Sequence, residues 1–106
     1  MSDGADPGPP EDERRDRILA VLFSLGPGEV VTYGDIAEDA GYPKQARLVG
    51  RVLSTTDADV PWWRVVNAAG RLVPGNERTQ SALLRGEGVD VRDGRVRRAP
   101  HGRFAR

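Results

Sequence analysis

The 106 residues include no cysteine and a single histidine. Without a thiol there is no disulfide, no cysteine-based zinc cluster and no thiol nucleophile. A metal site built on His101 would need carboxylates close by, and none lies near it in sequence, so neither a metal nor any other cofactor is expected. Aromatic residues make up only 6% of the chain, which leaves the core to Leu, Val, Ile and Ala. No apolar run approaches the roughly 18 residues of a membrane-spanning helix. Residues 1–10 are polar and rich in Pro and Gly, unlike a secretory signal. No membrane partner is expected, and the cytoplasm is the default compartment.

Net charge is zero, but its distribution is lopsided. Residues 1–16 hold six acids against Arg14 and Arg15, a balance of −4, and residues 92–106 hold six arginines against Asp93, a balance of +5. A phosphate backbone responds to the local field, so neutrality overall does not exclude nucleic acid.

The chain has the length of one domain with a modest core. Residues 1–10 read as a disordered tail, residues 11–96 as the folded domain, and residues 97–106 as a mobile basic tail. Ile18, Val21, Leu22 and Leu25 repeat at i, i+3, i+4, i+7, which predicts a helix over 11–25 ended by Gly26-Pro27-Gly28. Thr32 and Asp35 make a weak capping box for a second helix running to Ala40. A third helix is expected to start near Pro43. Its apolar face is Ala46, Val49, Gly50 and Leu53; Lys44, Arg47 and Arg51 share another face. A short helix, a tight turn and a second helix with one basic face form a helix-turn-helix pattern. Residues 60–66 look extended and buried, and Arg71-Leu72-Val73 is expected to pair back on them across the turn Asn67–Gly70, forming a wing. A last helix over 77–85 and a small ribbon over 89–96 complete a mainly α domain with a small β-hairpin, of the winged helix-turn-helix type.

Three blocks carry a resemblance: Val31-Thr32-Tyr33-Gly34-Asp35-Ile36-Ala37, Gly41-Tyr42-Pro43-Lys44-Gln45-Ala46-Arg47-Leu48-Val49-Gly50, and Pro61-Trp62-Trp63-Arg64-Val65-Val66. In this order and spacing they resemble the DNA-binding domain of the O6-alkylguanine-DNA alkyltransferases, over about Arg14 to Val91. In those enzymes the third block reads Pro-Cys-His-Arg, and the cysteine accepts the alkyl group from a flipped guanine. Here Trp62 stands at the cysteine position, which resembles the alkyltransferase-like branch. Its members bind alkylated guanine without repairing it and flag it for nucleotide excision repair. Trp63 departs from both branches, which usually have histidine there.

The resemblance implies that Arg47 is the finger that enters the stack and that Tyr33 crowds the 3′ phosphate. It implies that Ala46 and Gly50 let the helix lie close in the minor groove. The loop from Leu53 to Pro61 is shorter than in the cysteine enzymes, and their hinge asparagine is unmatched. Tyr33, Trp62, Arg64 and Val65 are the residues assigned to a lesion pocket. Lys44, Gln45, Arg51, Asn67 and Ala68 join Tyr33, Ala46 and Gly50 as candidate DNA contacts. Structural roles compete for two neighbours: Trp63 turned into the core, and Arg64 paired with a carboxylate.

The implied function is a non-enzymatic sensor of O6-alkylguanine in double-stranded DNA, acting as a monomer, with nucleotide excision repair proteins as partners. A stacked base cannot be inspected at its O6 substituent; extruding it costs on the order of a few kcal/mol. A guanidinium suits the vacated stack, and an indole wall suits the extruded base, with stacking worth roughly 1–3 kcal/mol. Three rivals stand beside this reading. One is a helix-turn-helix regulator without lesion preference, though nothing offers the dimerisation helix such proteins usually use. Another is an enzyme using Ser54, Thr55 or Thr56, none of which has a histidine beside it. The third is a pure interaction module.

Overall fold

The computed structural model describes residues 11–105; the tail expected over 1–10 lies outside them. Helix α1 (Glu11–Phe23) opens with Glu11, Asp12 and Glu13, where the helix dipole favours acids. It buries Ile18 and Leu22, and Leu25 is buried in the turn that follows. Strand β1 (Glu29–Thr32) leads directly into α2 (Tyr33–Asp39). The capping box between them is complete. Thr32 Oγ1 accepts the Asp35 N–H at 3.1 Å, and the Asp35 carboxylate accepts the Thr32 N–H at 3.0 Å.

The third helix, α3 (Ala46–Thr55), begins later than the expected start near Pro43. Lys44 has a left-handed backbone, φ +70°, which no helix residue adopts, so residues 40–45 form the turn of the helix-turn-helix. Trp62–Arg64, expected to be extended, form one 3-10 turn, closed by the Arg64 N–H donating to the Pro61 carbonyl at 3.1 Å.

Strand β1 is the centre of a three-stranded parallel sheet. Strand β2 (Val65–Val66) lies on one side, with Val31 opposite Val65. The wing expected between β2 and Arg71–Val73 is not formed: β1 takes one edge of β2, and on the other the Gln80 amide takes the Val65 carbonyl and the Val73 N–H that a hairpin would use. Arg71 bridges to Arg95 instead, and Leu72 donates to the Gly94 carbonyl. The fold's hairpin lies further on. Helix α4 (Glu77–Gly86) precedes β3 (Asp90–Arg92) and β4 (Arg95–Arg98), which pair antiparallel.

The segment from Arg97 is not the mobile tail expected of it. Arg97 and Arg98 belong to β4, Ala99 is buried, and β5 (His101–Gly102) completes the sheet on the far side of β1. The Arg103 N–H donates to the Val30 carbonyl, and its guanidinium grips Asp35. The run of arginines masked these anchors: Ala99 supplies apolar burial, and the otherwise open edge of β1 supplies backbone partners.

Two apolar clusters result. Ile18, Leu22, Ile36, Val49 and Val65 join the helices to the sheet, while Val66, Leu72, Leu84, Val91 and Val96 lie under the ribbon. The Trp62–Arg64 turn falls between them, with Trp62 against the first cluster and Trp63 against the second.

Candidate nucleic-acid interface

The two indoles diverge. Their centroids are 6.3 Å apart and their planes cross at 89°. Trp63 Nε1 donates to Glu87 at 2.9 Å. Arg64 stacks over the Trp63 ring at 5.1 Å and donates to the Glu87 carboxylate at 3.1 and 2.7 Å and to the Leu25 carbonyl at 2.8 Å. The Gly28 amide completes the set at 2.8 Å. Burial pushes the Glu87 carboxyl up, but the Arg64 guanidinium, the Gly28 amide and the Trp63 indole outweigh it and hold it at about 2.

With Trp63 fixed inward, Trp62 faces a cleft of about 260 Å³. Tyr33 from α2, Gly50, Leu53 and Ser54 from α3, and Val73 and Asn76 from the loop before α4 form the rest of its wall. That volume is just below the roughly 300–1,000 Å³ of drug-sized ligand sites, and it suits one flat heterocycle. Burial raises the Tyr33 phenol above its ordinary value. A buried amide sets the position of the wall. Gln80, 0% exposed, donates to the carbonyls of Trp63 and Val65, each at 3.1 Å, and accepts the Val73 N–H at 2.7 Å.

The N-terminal half of α3 faces a second, open concavity of about 560 Å³. Lys44, Gln45, Ala46, Arg47 and Arg51 line it together with Arg14 and Leu48. Arg47 is exposed and stands three residues before Gly50, one turn along the same side of the helix. One flank of α3 thus carries a cationic half and then the mouth of the cleft. Asn67 and Ala68 are exposed in the turn after β2, where Asn67 Oδ1 accepts the N–H groups of Ala69 and Arg71.

Of the residues assigned to the pocket, Tyr33 and Trp62 line the cleft; Gly50, expected as a DNA contact, lines it as well. Arg64 and Val65 do not. Arg64 is committed to Glu87 and the Leu25 carbonyl, its side chain 12% exposed, and Val65 is 0% exposed in the core. Sequence reasoning missed Leu53, Ser54, Val73, Asn76 and Arg14. Leu53 and Ser54 were readable at i+3 and i+4 from Gly50; Val73 and Asn76 arrive only through the tertiary fold. Among the described residues, no three His, Cys, Asp or Glu side chains converge on a metal-sized site, and no helix is long and apolar enough to cross a membrane.

A helix-turn-helix whose second helix carries a cationic flank and an aromatic-walled cleft defines a small, mainly helical domain of the nucleic-acid-binding class. The family model described as 6-O-methylguanine DNA methyltransferase, DNA binding domain, matches residues 13–89, and the chain belongs to that family.

A DNA base-flipping protein of Vibrio parahaemolyticus is 39% identical over 79 residues, covering 71% of this chain and 79% of the relative. Alkyltransferase-like protein 1 of Schizosaccharomyces pombe is 33% identical over 86 residues, covering 76% and 80%. The crystal structure of S. pombe Atl1 in complex with damaged DNA containing O6-carboxymethylguanine superposes with a TM-score of 0.69 at 32% identity, covering 76% of this chain and 81% of that one. The O6-methylguanine methyltransferase of Mycobacterium tuberculosis superposes with a TM-score of 0.61 at 35% identity, and the chain spans 47% of its length.

Proposed function

We propose that this protein is a non-enzymatic sensor of O6-alkylguanine in duplex DNA. It takes the flipped lesion into the cleft beside Trp62 and holds the vacated stack with Arg47. One observation carries the reading: the wall that a base would meet is an indole, Trp62, in the block where alkyltransferases have their cysteine, and the chain has no thiol. A cleft with no thiol, whose Ser54 hydroxyl donates to the Arg51 carbonyl, imposes no in-line geometry on the alkyl carbon, so several alkyl groups are accepted.

Gly50 adds independent support. A Cβ built there meets nothing within 4 Å, so no internal contact requires a glycine in mid-helix, where it costs roughly 1 kcal/mol relative to alanine. Close approach of an outside surface explains it, and a groove of DNA is such a surface. Lys44, Arg51 and Arg14 take phosphates; Gln45, Ala46, Asn67 and Ala68 border the duplex. The bound complex, monomeric in protein, marks the site for nucleotide excision repair, and the sensor works in the cytoplasm on the chromosome.

The test is the affinity for one duplex with and without O6-methylguanine, and with a bulkier O6-alkyl group, for wild type, Arg47→Ala and Trp62→Ala. Wild type prefers both lesions and the variants lose the preference. Equal affinity for lesion and guanine would instead favour a helix-turn-helix regulator. Intact mass after incubation stays unchanged; an alkyl adduct on the protein would overturn the non-enzymatic reading.

A further inference from the structure

The β3–β4 ribbon lies wholly beyond the residues that the family model matches, and with Arg71 it presents an arginine row. Arg71 is opposite Arg95 in an antiparallel bridge, and Arg95 is opposite Arg92 in the β3–β4 ladder. Directly opposed residues in antiparallel strands project from the same face. Val91 and Val96 point into the core, so this is the solvent face; beyond Val96 a register shift interrupts the alternation and sets Arg98 opposite Asp90. Like charges directly opposite one another in a ladder are destabilising.

The compensation is incomplete. Asp90 approaches Arg92 at 3.4 Å and Asp93 approaches Arg97 at 3.7 Å, both in exposed pairs, which are worth little. Among the described residues, no carboxylate pairs with Arg71 or Arg95. The Nε of Arg95 donates to the Ala69 carbonyl at 3.2 Å, which leaves its outer N–H groups without a partner among the described residues and ties the row to the turn that carries Asn67 and Ala68. Gly70 in that turn has φ +82°, and a Cβ on it would lie 3.0 Å from the Val96 carbonyl, so ribbon and turn are in close contact.

The geometry points to a second phosphate-binding surface: the row Arg71–Arg95–Arg92 grips the DNA backbone on the flank of the lesion next to the Asn67–Ala68 turn. This rests on the reading that the turn borders the duplex. Strands about 4.8 Å apart spread the three guanidinium groups along a strip, and the contact is blind to sequence and to damage.

The experiment measures duplex affinity against salt for wild type, Arg71→Gln, and Arg71→Gln with Arg92→Gln, each first shown to melt like wild type. Each lost phosphate contact lowers the log–log salt slope by about 0.9, so the double variant loses nearly 2. Its ratio of lesion to undamaged affinity stays at the wild-type value. Hydroxyl-radical footprinting shows protection receding on one flank only. If wild type discriminates lesions but slope and footprint are unchanged in the variants, the inference fails. The same holds if polyglutamate binds the row while the DNA slope is unmoved, which would make it a site for an acidic protein. If wild type does not discriminate at all, the sensor reading fails first, and the salt slopes still report on the row.

Discussion

The indole N–H of Trp63 donates to the Glu87 carboxylate at 2.9 Å, across 24 residues of sequence. That bond turns one of two adjacent tryptophans inward, and the perpendicular packing of the rings leaves the other facing the cleft. Where alkyltransferases place a histidine beside the nucleophile, this chain has a structural donor, and Arg64 completes the clamp on the same carboxylate.

Removing Glu87 strands Arg64, the Trp63 indole and the Gly28 amide together. The side chains of the pair are only 12% and 15% exposed, and breaking a buried pair from one side costs about 3–5 kcal/mol. Glu87→Ala is expected to lose that much in urea unfolding, and Glu87→Gln less, because it keeps an acceptor. A loss below about 1 kcal/mol for Glu87→Ala would mean the clamp is solvated and does not set the tryptophans.

Acid should loosen the same joints. The carboxyl of Asp35 is held at about 2, chiefly by the Arg103 hydrogen bond, and that of Glu87 also at about 2. Both folded values lie below the ordinary 3.8 and 4.5. Their contribution is therefore complete above about pH 5 and declines as pH falls through 4 towards 2. Urea midpoints at pH 7, 4 and 2.5 check this, and Asp35→Asn should flatten part of the slope. A midpoint that rose on acidification would contradict the sign.

What the sequence discloses divides by range. The capping box of Thr32 and Asp35, the face of α1 and the β3–β4 ribbon are local, and each is readable from spacing and turn residues; α3 is only half so, because it buries Val49 and Val52 while Gly50 and Leu53 of the expected apolar face border the cleft. Everything around β1 is not. Its neighbours β2 and β5 come from positions more than 30 and 70 residues away, and two-residue strands leave no period to count. The misplaced wing follows directly: Val65–Val66 suits a hairpin locally, and only the fold brings β1 to one edge of β2 and the Gln80 amide to the other. The cationic segment after Arg97 reads as solvated for the same reason. In the site, Trp62, Tyr33 and Gly50 were legible from the resemblance, whereas Gln80 and Glu87 signal nothing until their distant partners are in place.

Gln80 makes the cleft rigid through three bonds to backbone. Gln80→Leu matches its size roughly and leaves two carbonyls and one N–H without partners, at about 1–3 kcal/mol for each group left unpaired. The Trp62 and Val73 walls lose their common anchor. Stability falls, and acrylamide quenching of tryptophan emission rises as Trp62 becomes more accessible. Unchanged quenching in a folded variant would show that the walls are held by packing alone.

Gly50→Ala separates folding from binding because the two respond with opposite signs. The space around a Cβ at position 50 is empty, and alanine replaces a glycine in the middle of α3, which gains about 0.5–1 kcal/mol. Thermal unfolding should therefore move upward. The same methyl group lies at the mouth of the cleft, on the flank that Arg47 shares, and it holds an approaching backbone away by about the thickness of a carbon atom. Affinity for duplex DNA should fall, with or without a lesion, while the protein becomes more stable. A variant that gained stability and kept full affinity would show that α3 does not press its glycine against DNA, and the placement of the duplex along that helix would have to be abandoned.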